Sequence, residues 1–116
     1  MTLPNDPFER VAAVTEIPDD EAVKVVVDRY DVALARCGDE VFALQDLCSH
    51  AEVALSEGEV ADCTVECWLH GSTFDLRTGK PTTFPATEPV ATFPVEIRDG
   101  DVYVDVTTTL NGVTPQ

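Results

Sequence analysis

The sequence is poor in positive charge, in histidine and in anything resembling a long helix. Lys plus Arg number 7 against 22 Asp plus Glu, a formal net charge of -15. A surface this acidic repels nucleic-acid phosphates and anionic membranes, so neither is an expected partner. No apolar run approaches the ~20 residues that a membrane helix needs. Met1 to Arg10 offers neither the basic n-region nor the apolar h-region of a secretory signal. The chain is therefore expected in the cytoplasm. Repeats and low-complexity tracts are missing. So are a Gly-rich phosphate loop and a GxSxG nucleophile elbow, which leaves no sign of nucleophilic catalysis.

What is present fits one folded domain. Hydrophobic residues make up 44% of the 116 and charged residues 25%, a globular rather than a disordered balance. The periodicity is that of strands. Val23, Val25 and Val27 alternate with Ala22, Lys24 and Val26, and Val32, Leu34 and Arg36 alternate with Ala33, Ala35 and Cys37. Gly38-Asp39 before Val41-Phe42-Ala43-Leu44, and Asp99-Gly100 between Val95/Ile97 and Val102/Val104/Val106, are hairpin signals. Prolines interrupt most candidate helices. The expected class is all-β, with a β base over about 1–45 and 90–110. The stretch of about 46–89 is richer in Cys, His, Gly, Thr and Pro. It reads as an inserted, loop-rich subdomain built around something other than an apolar core.

The two histidines of the chain each lie within three residues of a cysteine, in Cys48-Ser-His50 and Cys67-Trp-Leu-His70. Each loop thus offers one thiolate and one imidazole. Two of each suit either tetrahedral zinc or a mixed-ligand two-iron cluster. Zinc fingers usually pair Cys with Cys and His with His, so a structural Cys2His2 zinc module is the rival. The other two cysteines, Cys37 and Cys63, are expected as buried free thiols, because an extended Cys63–Cys67 stretch spans roughly 13 Å, too far to share one iron.

Cys48-Ser-His50-Ala and Cys67-Trp-Leu-His70-Gly71-Ser72 resemble the paired cluster-binding boxes of the Rieske ferredoxin family. The likeness continues through Leu55-Ser-Glu-Gly58, Phe74-Asp-Leu-Arg-Thr-Gly79-Lys80, Pro85-Ala-Thr-Glu-Pro89 and Asp101-Val-Tyr-Val104, nearly the whole chain. The resemblance implies one 2Fe–2S cluster held by Cys48, His50, Cys67 and His70. It also implies an antiparallel β sandwich carrying that cluster at the tip of a small subdomain, with Pro85 in a loop that covers it. The implied role is not catalytic. A monomeric carrier would pass single electrons from an NAD(P)H-dependent ferredoxin reductase to a terminal Rieske non-haem iron oxygenase, in carbazole, biphenyl or naphthalene breakdown, with a lean toward carbazole. The small subunit of a nitrite reductase shares the fold and is the alternative.

Two departures narrow the type. Val53 and Leu69 stand where the Rieske subunits of cytochrome bc complexes have a disulfide. Phe74 stands where high-potential members have a Tyr whose hydroxyl faces the cluster, while Ser72 keeps the matching Ser. A lost donor lowers the potential, so the low end of the ~ -150 to +300 mV Rieske range is expected.

Overall fold

Alternating β-branched residues and tight turns with left-handed backbone account for most of the architecture. The computed structural model describes residues 6–49, 53–69, 71–84 and 86–115. The first strands are β1 (Glu9–Ala13), β2 (Ala22–Val27), β3 (Tyr30–Cys37) and β4 (Glu40–Gln45). Then come β5 (Val60–Ala61), β6 (Thr64–Glu66) and β7 (Thr73–Asp75), followed by β8 (Thr92–Phe93), β9 (Val95–Arg98) and β10 (Asp101–Val104). Among the described residues the only helical pieces are the single 3-10 turns Val14–Glu16 and Leu55–Glu57. The chain is all-β, as its patterning implies. No helix among the described residues is long and apolar enough to cross a membrane.

The strands form three antiparallel sheets, in the orders β1-β10-β9, β2-β3-β4-β8 and β5-β6-β7. The Asp99-Gly100 hairpin forms as expected, with φ of 52° and 81° at its two turn residues. Both must be left-handed in a type I′ turn, which matches the right-handed twist of the flanking strands.

The four-stranded sheet is the middle layer. On one face Val27, Val32, Leu34, Ala43 and Phe93 pack against Ala12, Ile17, Val102 and Val104. On the other, Ala35 and Leu44 join Leu55, Val60, Val65, Phe74 and Leu76 in a second core, which also holds Cys48 and Cys67. This explains β3, where Val32, Ala33, Leu34 and Ala35 are all buried. A central strand covered on both faces reads as a continuous apolar run rather than a clean alternation. Each fully buried Val, Leu or Phe contributes about 1.5–3 kcal/mol through its removal from water.

Two expectations are corrected. The middle of the chain is more than loops around a metal, because β5, β6 and β7 form a sheet with an apolar core of its own side chains. Strands of two or three residues are too short for a period of two to show. Second, Cys37 and Cys63 are not free thiols: a disulfide joins them, with Cα atoms 5.4 Å apart. The extended geometry assumed for Cys63 does not hold, since its φ is 57° and the chain reverses there.

Candidate metal centre

The first box begins where β4 ends. The Asp46 amide donates to Asp31 O at 2.9 Å and Gln45 N–H donates to Ala91 O at 2.9 Å, which fixes the strand's exit. The Cys48 amide then donates to Val53 O at 2.9 Å and closes the loop that contains His50. Behind it the buried Asp46 carboxylate accepts from the Ser56 amide at 2.7 Å and the Ser56 hydroxyl at 2.6 Å. Lys24 Nζ lies 3.9 Å from the same carboxylate. Asp46 thus pins the 3-10 turn Leu55–Glu57 beneath the first loop.

The second box joins β6 to β7. Cys67 N–H donates to Ser72 O at 2.6 Å, and Gly71 N–H donates to Cys67 O at 2.9 Å. Gly71 takes φ of +75°, the left-handed conformation that lets so tight a turn reverse. Ser72 and Phe74 are both fully buried.

A third loop fastens the first two together. The Ala86 amide donates to Ser72 Oγ at 2.9 Å, and Ser49 Oγ donates to Glu88 O at 2.5 Å. Thr73 N–H donates to Thr83 Oγ1 at 2.9 Å, Thr82 N–H donates to Thr73 O at 2.7 Å, and the Thr73 and Thr82 hydroxyls bond each other. Far from this edge, Asn111 grips the loop's base. Its Nδ2 donates to Thr78 O at 2.9 Å and Val90 O at 2.8 Å, and its Oδ1 accepts from Thr92 N–H at 3.3 Å.

Of the four expected ligands, Cys48 and Cys67 come together in one core, buried at 3% and 0% exposure and outside the disulfide. His50, His70 and the loop residue Pro85 lie outside the described residues. Among the described residues no group of three or more His, Cys, Asp or Glu assembles, so the described part of the centre is the pair of thiols. That pair fits an iron–sulfur group. Each thiol sits in its own backbone-closed loop, where a thiolate can bind iron but a solvent ion cannot easily reach. Ser72 Oγ accepts the Ala86 amide and so keeps its own proton to donate. Around the centre Trp68, Leu69 and Phe84 are exposed, Phe84 at 83%. Val53, at a position where a disulfide would need cysteine, packs instead against the core.

Sequence reasoning missed Asp46, Asn111 and the Cys37–Cys63 pairing. Only the last left a signal. Asp62-Cys63 between Val60-Ala61 and Thr64-Val65 has the form of a two-residue hairpin turn. At the same edge Arg77 reaches Glu40 through both of its terminal nitrogens, at 3.0 and 2.9 Å, and lies over the Phe42 ring. This hydrogen bond holds the Glu40 carboxyl below its ordinary value and raises Arg77.

A family model described as the Rieske [2Fe-2S] domain matches residues 8–94. The chain is 47% identical over 96 residues to the anthranilate 1,2-dioxygenase ferredoxin subunit of Burkholderia cepacia, covering 83% of this chain and 89% of that protein. Among solved structures, the ferredoxin of carbazole 1,9a-dioxygenase from Nocardioides aromaticivorans IC177 superposes with a TM-score of 0.81. Its identity is 35%, over 84% of this chain and 95% of that one. A chain in a complex of reduced oxygenase and oxidized ferredoxin in carbazole 1,9a-dioxygenase also gives a TM-score of 0.81. There the identity is 34%, over 87% of this chain and 94% of that one.

Proposed function

The chain belongs to the Rieske [2Fe–2S] domain family, and from that premise we propose that Cys48, His50, Cys67 and His70 hold its one cluster. Two buried thiols, one in each of two loops closed on their own backbone, carry this reading. The thiolates would ligate one iron and the imidazoles the other, so both loops would clamp the cluster. When bound, the cluster supplies a site that takes up and gives back one electron.

The chain is an electron-transfer component of the ferredoxin kind, like the relatives it matches. Its donor is proposed to be an NAD(P)H-dependent ferredoxin reductase, and its acceptor the terminal oxygenase of an aromatic-ring dioxygenase system, with the carrier itself a monomer. The complex of oxygenase with ferredoxin supports the second partner. The exposed Trp68, Leu69 and Phe84 supply an apolar contact edge beside the two boxes and the third loop. Contacts of this sort are small, burying under ~1,200 Å², and break quickly. A preference for carbazole draws no support over anthranilate, since the anthranilate system's subunit has the higher identity of the two. A carrier that never meets the aromatic ring does not select one.

Electron paramagnetic resonance of the dithionite-reduced protein tests the ligand set. A Rieske signal with a low average g is expected, and His50→Ala or His70→Ala should abolish it. A silent, colourless sample that carries zinc would end the proposal.

A further inference from the structure

Cys37 and Cys63 take no part in the centre described above, yet they are bonded across the fold. Cys37 is the last residue of β3 in the middle sheet, and Cys63 lies in the turn between β5 and β6, 26 residues further on. Their Cα separation of 5.4 Å lies within the roughly 4.4–6.8 Å range of protein disulfides. The bond therefore joins the middle sheet to the small sheet that leads into Cys67.

The turn itself argues that the thiol at 63 has a purpose. Asp62 and Cys63 both adopt left-handed backbone, with φ of 51° and 57°. Such a two-residue turn favours Asn or Asp followed by Gly, and a cysteine in second place goes against that local preference. A residue held against its backbone preference points to a role for its side chain.

The surroundings suit a bond that opens and closes. Both cysteines are half-buried, so a small thiol can reach them. The Leu76 amide donates to Cys63 O at 3.0 Å, and Arg77 next to it is gripped by Glu40 and Phe42 of β4. These contacts keep Cys63 near Cys37 when the bond is broken, so closure needs no refolding.

We propose that Cys37 and Cys63 form a reversible thiol–disulfide tie that fastens the small sheet to the base. Closing removes two electrons and two protons from the thiols, and dioxygen takes them up as hydrogen peroxide. Opening consumes two molecules of a small thiol, which leave as their own disulfide. The tie is independent of the ligand set proposed for the cluster.

The test uses full-length protein prepared in air. After anaerobic denaturation with a chelator, iodoacetamide should label only Cys48 and Cys67, and all four cysteines after reduction. Peptides carrying Cys37 and Cys63 should be found linked. Opening the tie with glutathione should speed amide exchange over residues 60–66 by about tenfold or more, and the Cys37→Ser/Cys63→Ser double variant should match the opened protein. If the double variant does not fold, the glutathione-treated protein carries the comparison alone. Full labelling without reduction, or exchange unchanged by opening, would overturn the tie. A colourless preparation with the bridge intact would sustain it and remove only the cluster reading.

Discussion

Ser72 is buried, and among the described residues its oxygen accepts from the Ala86 amide and its proton is left over. Ser72→Ala should therefore act twice. It strands the Ala86 N–H inside the protein, which costs about 1–3 kcal/mol in a denaturant melt. If the cluster sits on Cys48 and Cys67 as proposed, the change also removes a donor from beside it and should lower the midpoint potential in a redox titration. Phe74→Tyr should raise that potential, because the added hydroxyl stands at a fully buried position in the core shared with the two thiols. A potential unmoved by both changes would show that neither position addresses the cluster. That Cys48 and Cys67 belong together was legible in the sequence, because each sits in a tight Cys/His box, and both are buried in one core. Asp46 was not, since an acid at the end of an apolar strand looks the same whether it meets solvent or pins Ser56.

At the scale of elements, hairpins with strong turn chemistry were readable and short strands were not. β2, β9 and β10 announce themselves through alternation or Asp99-Gly100, and β3 and β4 through apolar runs on either side of Gly38. β5 to β7 are held by what they pack against, which no local pattern records beyond the Asp62-Cys63 turn. Two devices join that small sheet to the base. The disulfide closes a loop across a sequence separation of 26, worth about 3–4 kcal/mol by unfolded-state entropy alone. The other is the exposed Glu40–Arg77 pair. Glu40 titrates below the ordinary carboxylate value when folded. Its contribution is therefore complete above the unfolded carboxylate pKa and fades as pH falls through the lowered one. Melting temperatures of Arg77→Gln and the parent should converge as pH falls below the ordinary carboxylate range, with a modest gap at neutral pH because the pair faces water.

Over the whole molecule, the net charge of -15 is the dominant long-range feature. It suits steering toward basic partner surfaces, so electron transfer to an oxygenase should slow as salt shortens the reach of that field to about 8 Å near 0.15 M. Stopped-flow rates that ignore ionic strength would rule out steering by net charge. The layering was only partly visible beforehand. The apolar run through β3 shows a strand covered on both sides, but not which partners cover it. One consequence of the Cys37–Cys63 bond is topological. Together with the backbone it makes residues 37–63 a covalent ring, with Cys48 on its circumference and Cys67 on the tail just outside. The two halves of the proposed clamp are thus anchored differently, and a single backbone cut within the ring would leave the molecule in one piece.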